Sequence, residues 1–193
     1  MPAASADQRL AAAVAAVKVD LGWMYTDWSV RAPTLESSTA VTAMAQEEVG
    51  HARVLGGLVP DGVEGEGIPC LRQPATSWPE LIGVVAPVEL ALAELTRRLA
   101  GCRHELLRSR ARKMAEEERF HELFVEGWCG LLGADASEVS AAFAEGVRRS
   151  QDETAAWLER LDALAAEGAI LDAGALVEHC GPRALAMGRE ARA

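Results

Sequence analysis

The sequence predicts an all-α fold in which four long helices form a bundle and a fifth helix packs alongside. Apolar residues recur at spacings of three and four along most of the chain, which is the pattern of one buried helix face. The apolar residues are mostly Ala, Leu and Val, with few Ile, Phe or Tyr, and this composition favours helix over strand. No segment of useful length has the alternation of a strand, and no repeat has the period of a solenoid.

Residues that cap or break helices divide this pattern into five elements. The predicted helices run over residues 10–28, 35–58, 77–100, 104–132 and 137–166. Pro33 ends the first helix, and Thr34 can cap the second. Ser77 and Glu80 have the spacing of a capping box at the start of the third. One long loop rich in Gly and Pro, residues 60–76, separates the second and third helices, and the other connections are short.

The length of 193 residues suits a single domain. We assign residues 1–170 to the helical bundle and residues 171–193 to a short C-terminal helix and tail. Half of the residues are apolar and a quarter are charged, so the chain is far too apolar to be disordered.

Charge and composition argue against several kinds of partner and compartment. The formal net charge of −10 does not favour a phosphate backbone, so we expect no nucleic-acid binding. No apolar run reaches the roughly 18–20 residues that span a bilayer, and no basic region precedes the alanine-rich start as in a secretory signal. Four cysteines lie far apart without a Cys-x-x-Cys pair, so we expect a cytoplasmic protein with neither a zinc ribbon nor a disulfide framework.

Two Glu-x-x-His motifs lie on separate predicted helices. Glu48 and His51 form the first, on helix two, and Glu118 and His121 form the second, on helix four. Residues three apart project from the same side of a helix, so each motif directs a carboxylate and an imidazole in one direction. Paired motifs of this kind, with one Glu from each of two further helices, build the di-metal site of ferritin-like bundles.

Helix three supplies a candidate for one of the further carboxylates. Glu89 lies within an apolar run, residues 84–92, where an unpaired charge would be costly to bury. The sequence therefore predicts a metal centre in a ferritin-like four-helix bundle, with carboxylate and imidazole ligands that suit iron. The predicted ligands are Glu48, His51, Glu89, Glu118 and His121. The alternative interpretation makes the acids a solvated face and the histidines surface or core residues, and it leaves Glu89 unexplained.

Helix one departs from this pattern. Lys18 and Tyr25 border its apolar stripe, whereas its acids, Asp20 and Asp27, fall on the opposite face. No carboxylate of helix one is therefore expected to point inward. Tyr25 is the only tyrosine of the chain, and it is either a core residue with a satisfied hydroxyl, a hydrogen-bond donor to the site or a redox-active phenol.

Two segments of the chain resemble a known family. Residues 21–35, LGWMYTDWSVRAPTL, and residues 43–53, AMAQEEVGHAR, are similar to the phenylacetyl-CoA epoxidase family, the ferritin-like large subunits of a bacterial multicomponent oxygenase. Residues 77–84 and 117–121 fall where that family has similar segments, and the resemblance extends over residues 11–158. Members occur as catalytic di-iron subunits and as metal-free partner subunits. The catalytic type has an iron-binding Glu at the position of Lys18 and a lysine at the position of Met44.

The resemblance implies a non-haem iron or di-iron monooxygenase that activates dioxygen to oxidise a small organic substrate, such as an aromatic acyl-CoA. It would use two irons, or one if Lys18 displaces a metal. Electrons would come from a separate reductase, since no flavin or nicotinamide fingerprint is present. The partner would be a second copy or a similar helical subunit. Two alternatives remain open: a metal-poor partner subunit of such an oxygenase, and a rubrerythrin- or ferritin-like protein that handles iron or peroxide.

Lys18 has several possible states. A charged ammonium about 4 Å from a divalent ion is repelled by roughly 8 kcal/mol at an effective dielectric constant of 20. Lys18 is thus expected to be carbamylated, to be a neutral base, or to pair with Glu48 or Glu89 in the space of one metal. The remaining alternative is that it reaches solvent.

Basic residues gather around the third connection. This group could hold the phosphates of a CoA-type substrate or an acidic partner, or it could be a solvated connection. Its members are Arg97, Arg98, Arg103, Arg108, Arg110, Arg112 and Lys113.

Overall fold

The fold is all-α, as the sequence predicts. The computed structural model describes residues 3–133 and 138–168, and these residues contain no strand. The long helices are α1 (Ala6–Ser29), α2 (Leu35–Gly56), α3 (Trp78–Leu99), α4 (Glu105–Gly133) and α5 (Glu138–Gly168). A short 3₁₀ turn, Pro69–Arg72, lies in the loop between α2 and α3. The short helix and tail predicted at residues 171–193 lie outside the described residues.

The helix caps are formed by the predicted residues, with one difference. The Thr34 hydroxyl accepts a hydrogen bond from the backbone N–H of Ser37 at 3.1 Å, and the Ser77 hydroxyl accepts one from Glu80 at 3.4 Å. The Glu80 carboxylate, however, bonds to the backbone N–H and the hydroxyl of Thr76 rather than to Ser77. Thr76 offers two donors to one oxygen, so the predicted capping box closes one residue earlier.

The long loop between α2 and α3 runs the length of the bundle. The start of α1, the end of α2 and the start of α4 line one small cavity and so share one end of the bundle. At the other end, Trp28 of α1 and Trp128 of α4 both contact Trp78 at the start of α3. Helices α2 and α3 are therefore parallel and joined by one long crossover, which is the connection of ferritin-like bundles.

A close backbone approach holds this crossover against α1. A Cβ atom added at Gly65 would lie 1.9 Å from the carbonyl oxygen of Ala12, so only glycine fits there. Farther along, the guanidinium of Arg72 bonds to the Asp20 carboxylate at 2.9 Å. Asp20 therefore lies on the outer face of α1, as its position in the helix predicts.

Helix α5 covers one side of the bundle. It packs mainly on α3, where Gly146 and Gly83 bring the two backbones together: a Cβ at Gly83 would lie 2.2 Å from the Phe143 carbonyl oxygen. Farther along, the Trp157 indole donates to the Glu66 carbonyl of the crossover at 3.2 Å. Helices α2 and α4 contact each other far less than α1 contacts α2 or α3 contacts α4. The α2–α4 side is therefore the more open one.

No helix among the described residues combines the length and the apolar character needed to cross a membrane. The three cysteines in the described part of the chain, Cys70, Cys102 and Cys129, are free.

Candidate metal centre

Three helices direct carboxylates and one imidazole into the middle of the bundle. Glu48 comes from α2, Glu89 from α3, and Glu118 and His121 from α4, and all four side chains are fully buried. One ligand atom of each lies within 4.8 Å of those of the others. Four of the five predicted ligands thus form one compact group that could hold a metal ion.

Local sequence explains why these side chains face inward. In α4, Glu118 and His121 lie three residues apart on the same buried face. Glu89 lies in α3, which is buried on nearly all sides from Leu81 to Ala93, so its carboxylate has no route to water. A buried charge needs partners, and the other members of the group provide them.

Lys18 lies inside the centre. Its ammonium is fully buried and donates to Glu48 Oε2 at 2.9 Å, to Glu48 Oε1 at 3.2 Å and to Glu118 Oε1 in a short contact. The expectation that Lys18 reaches solvent is therefore wrong. Of its two expected partners, Glu48 is found, and the second partner is Glu118 rather than Glu89. The carboxylate of Glu89 is instead held by Tyr25 and His121.

Tyr25 completes the surroundings of Glu89. The phenol is fully buried and donates to Glu89 Oε1 at 2.5 Å, while His121 Nδ1 lies 3.3 Å from Glu89 Oε2. Both oxygens of this carboxylate therefore have a partner. Tyr25 is thus a core residue with a satisfied hydroxyl, as expected, and the acceptor of its hydrogen bond is a candidate ligand.

Two further glutamates orient the histidines. Glu47 accepts a hydrogen bond from Nε2 of His121 at 2.8 Å, and Glu117 accepts one from Nε2 of His51 at 2.6 Å. Each glutamate therefore accepts a hydrogen bond from the histidine of the other helix. A carboxylate behind an imidazole fixes its tautomer and raises its basicity as a ligand. Sequence reasoning missed this pair, although a Glu directly before each Glu-x-x-His motif is the signal that could have revealed it.

His51 lies beside the group of four but outside it. Its Nδ1 faces Glu118 Oε1 at 3.5 Å and forms no hydrogen bond, and Glu118 Oε2 is also buried without a partner. Buried polar atoms without partners are costly, and a cation bound by the group of four would satisfy the free oxygen of Glu118. The donor set thus fits a metal ion, and His51 is available as an additional ligand on the α2 side.

Opposing charges set the protonation states. Burial acts to lower the pKa of Lys18, but the charges of Glu118 and Glu48 outweigh it and raise that pKa. Burial also opposes ionisation of Glu118, yet the charge of Lys18 and the nearby imidazole of His51 lower its pKa to about 2. Lys18 and Glu118 therefore form a charged pair.

The protonation states around Glu89 differ from those around Lys18 and Glu118. Burial raises the pKa of Glu89, and only part of this effect is offset by the charge of His121. Burial likewise raises the pKa of Tyr25, and the charge of Glu89 raises it further, so the phenol stays protonated. The pKa of His121 is raised because the charge of Glu89 and hydrogen bonds to the surrounding glutamates outweigh its burial. Without metal, Lys18 and His121 are fully buried cations that help to balance the buried carboxylates.

A pocket of about 460 Å³ adjoins the centre between α2 and α4. His51, Glu47 and Glu117 form its inner wall, and Arg53, Arg110 and Lys113 lie in its lining. The basic residues near the third connection therefore do not act as one group. Arg110 and Lys113 line this pocket, whereas Arg97 binds Glu94 and Glu122, Arg98 binds Glu94, and Arg108 and Arg112 donate to backbone carbonyls.

The fold and this centre define a class of protein, an all-α ferritin-like bundle with a buried Glu/His cluster that could hold a metal ion. No model of a known protein family matches the chain, and no curated protein is similar enough to count as a relative.

Proposed function

We propose that the chain is a non-haem iron oxygenase that uses dioxygen to oxidise a small organic substrate. The observation that carries this proposal is the buried group of Glu48, Glu89, Glu118 and His121, whose ligand atoms lie within 4.8 Å of one another. Three carboxylates and an imidazole suit iron among the metals that such ligands bind. Bound iron would supply open coordination positions for dioxygen and electrons for its reduction.

The protein's own residues have separate tasks in this proposal. Glu48, Glu89, Glu118 and His121 hold one ion, Lys18 supplies a fixed positive charge on the α1 side, and Tyr25 orients Glu89. The bundle excludes bulk water, since all these side chains are fully buried. Substrate reaches the centre through the pocket beside His51.

The pocket favours an oxygenase over an iron-storage or peroxide-handling protein. A substrate needs an enclosed volume next to the reacting centre, and about 460 Å³ lies within the usual range of small-molecule sites. The proposal also includes kinship with the phenylacetyl-CoA epoxidase family, electrons from an external reductase and a second helical subunit. These three parts rest on the sequence resemblance.

A second candidate function is that of a metal-poor partner subunit. The observation that favours it is the ammonium of Lys18, which donates to both Glu48 and Glu118 and so satisfies these carboxylates without metal. In that case the centre is a structural ion-pair network, and catalysis belongs to another subunit.

Metal analysis after reconstitution with ferrous iron separates the two candidates. The oxygenase proposal expects about one iron per chain in the wild type. His121→Ala should lose most of it, because His121 is the only nitrogen ligand in the compact group. His51→Ala should lose less, since His51 lies outside that group. A wild-type chain that binds no transition metal at micromolar free concentrations would favour the partner-subunit candidate.

Oxygen consumption tests the chemistry itself. With a chemical reductant present, iron-loaded wild type should consume dioxygen and release peroxide when substrate is absent. The matched control is His121→Ala treated in the same way. Identical oxygen-electrode traces for the two proteins would contradict the oxygenase proposal.

A further inference from the structure

The pocket between α2 and α4 has an uneven distribution of charge. Its inner wall carries Glu47 and Glu117, but each accepts a hydrogen bond from a histidine of the centre. Arg53, Arg110 and Lys113 also line it. Within the described part of the chain, these three cations form one ion pair, a long one from Lys113 Nζ to Glu117 Oε1 at 3.8 Å.

The guanidinium groups of Arg53 and Arg110 have no ion-pair partner among the described residues. This is notable in a chain with a net charge of −10, in which carboxylates outnumber cations. Arginine binds carboxylates and phosphates through two parallel hydrogen bonds, and two such groups on facing helices can hold one anion between them. All three cations line the pocket and are exposed to solvent, so they lie at its open side.

We infer that this pocket binds a small free organic anion, a carboxylate or phosphate ester, with its charged group at Arg53 and Arg110 and its body directed towards His51. The inference rests on the proposed function for the identity of the reacting centre, but the binding itself requires no metal. It names the substrate class: a small organic anion.

The size and charge of the pocket support a small anion. A volume of about 460 Å³ lies within the range of small-molecule sites and is far too small for a whole coenzyme thioester. A small anion can place its charged group beside the two guanidinium groups at the open side of the pocket. Its uncharged part then lies along the inner wall beside His51 and Met114.

Calorimetric titration of the metal-free protein tests this inference. The probes are benzoate and phenyl phosphate, with benzyl alcohol as the uncharged analogue. We expect both anions to bind at least tenfold more tightly than the alcohol. Arg53→Gln and Arg110→Gln should each weaken anion binding about tenfold or more, as expected for loss of a charge-assisted hydrogen bond. Arg119→Gln, an exposed arginine of α4 outside the pocket, is the matched control and should bind as wild type.

Several results would overturn the inference. These are no binding of either anion at millimolar concentration, equal binding of the alcohol, and variants that bind as wild type. Displacement of phenyl phosphate by coenzyme A at a lower concentration than by benzoate would also overturn it, in favour of a thioester. Binding of an acidic peptide but not of the small anions would indicate a protein partner instead. Because no metal is present, failure here is distinguishable from failure of the oxygenase proposal, which the iron and oxygen measurements test separately.

Discussion

At the residue scale, the ammonium of Lys18 lies between Glu48 and Glu118, two carboxylates on different helices that face the same space. A lysine there has two consequences. It balances the charge of these carboxylates, and it occupies space between them that a metal ion could otherwise take. We therefore expect this one side chain to limit the number of metal ions that the centre could hold.

Lys18→Glu should raise the metal content by about one ion per chain after reconstitution with ferrous iron. The substitution removes a repelling charge and adds a carboxylate beside Glu48, Glu118 and the unpartnered Nδ1 of His51. Metal per chain is counted by elemental analysis for both proteins. Lys18→Met is the control, since it removes the charge without adding a ligand. No gain of metal in Lys18→Glu would contradict the idea that Lys18 displaces a metal.

Tyr25→Phe should weaken metal binding by roughly 10- to 100-fold, because the lost hydroxyl no longer orients Glu89. The free energy of unfolding of the metal-free protein should fall by about 1–3 kcal/mol, since one buried carboxylate oxygen loses its donor. Iron titration and urea denaturation measure these effects. If Tyr25 only positions Glu89, oxygen consumption per bound iron stays at the wild-type rate. Its complete loss at full iron occupancy would assign Tyr25 a redox role instead.

At the scale of elements, the sequence predicts the helices well because their ends carry local signals. Thr34 and Ser77 cap the helices that they are predicted to cap, and Pro33 lies in the short turn before α2. The close crossing of α3 and α5, by contrast, is not predicted by local signals. Gly83 and Gly146 lie inside helices, where local preference disfavours glycine, and the sequence alone offers no reason for them.

Gly83→Ala should lower the free energy of unfolding by about 1–3 kcal/mol, because the added methyl group meets the Phe143 carbonyl oxygen at 2.2 Å. The matched control is Gly127→Ala in α4, whose Cβ would meet nothing within 4 Å. That substitution should raise the free energy of unfolding by about 0.5–1 kcal/mol through helix propensity. Urea denaturation measures both. Stabilisation by Gly83→Ala would show that the two helices do not cross this closely.

At the scale of the whole molecule, the buried ion pairs make stability depend on pH. The pKa of Glu118 is lowered from 4.5 in the folded protein, so its contribution is present above pH 4.5 and is lost as the pH falls towards 2. The pKa of His121 is raised above 6.5, so its contribution is complete below pH 6.5 and declines as the pH rises. The free energy of unfolding therefore rises with pH on the acid side and falls with pH on the alkaline side.

The metal-free protein should therefore be most stable between about pH 4.5 and pH 6.5. Urea denaturation at unit pH intervals from 3 to 9 measures this profile. His121→Ala should flatten the alkaline side, and Lys18→Met should flatten the acid side, because Lys18 is the main charge that lowers the pKa of Glu118. A wild-type profile that rises steadily from pH 6 to pH 9 would contradict the assigned charge states.

The sequence by itself determined the class of fold and most of the centre. Helical periodicity, caps and helix breakers act over a few residues, so they can be recognised in the sequence without knowledge of tertiary contacts. The spacing of Glu48 with His51 and of Glu118 with His121 is equally local, as is the isolation of Glu89 in an apolar run. The absence of an inward carboxylate on α1 followed from the same helical geometry.

Only the tertiary structure decided which of these groups contact one another. The pairing of Lys18 with Glu118 joins residues 100 positions apart, and Glu47 and Glu117 each serve a histidine on the opposite helix. The pocket cations come from two helices in the same way. Such pairings depend on how helices are arranged across the bundle, and helical periodicity contains no information about that arrangement. The sequence specifies the face of each helix, and packing specifies which faces meet.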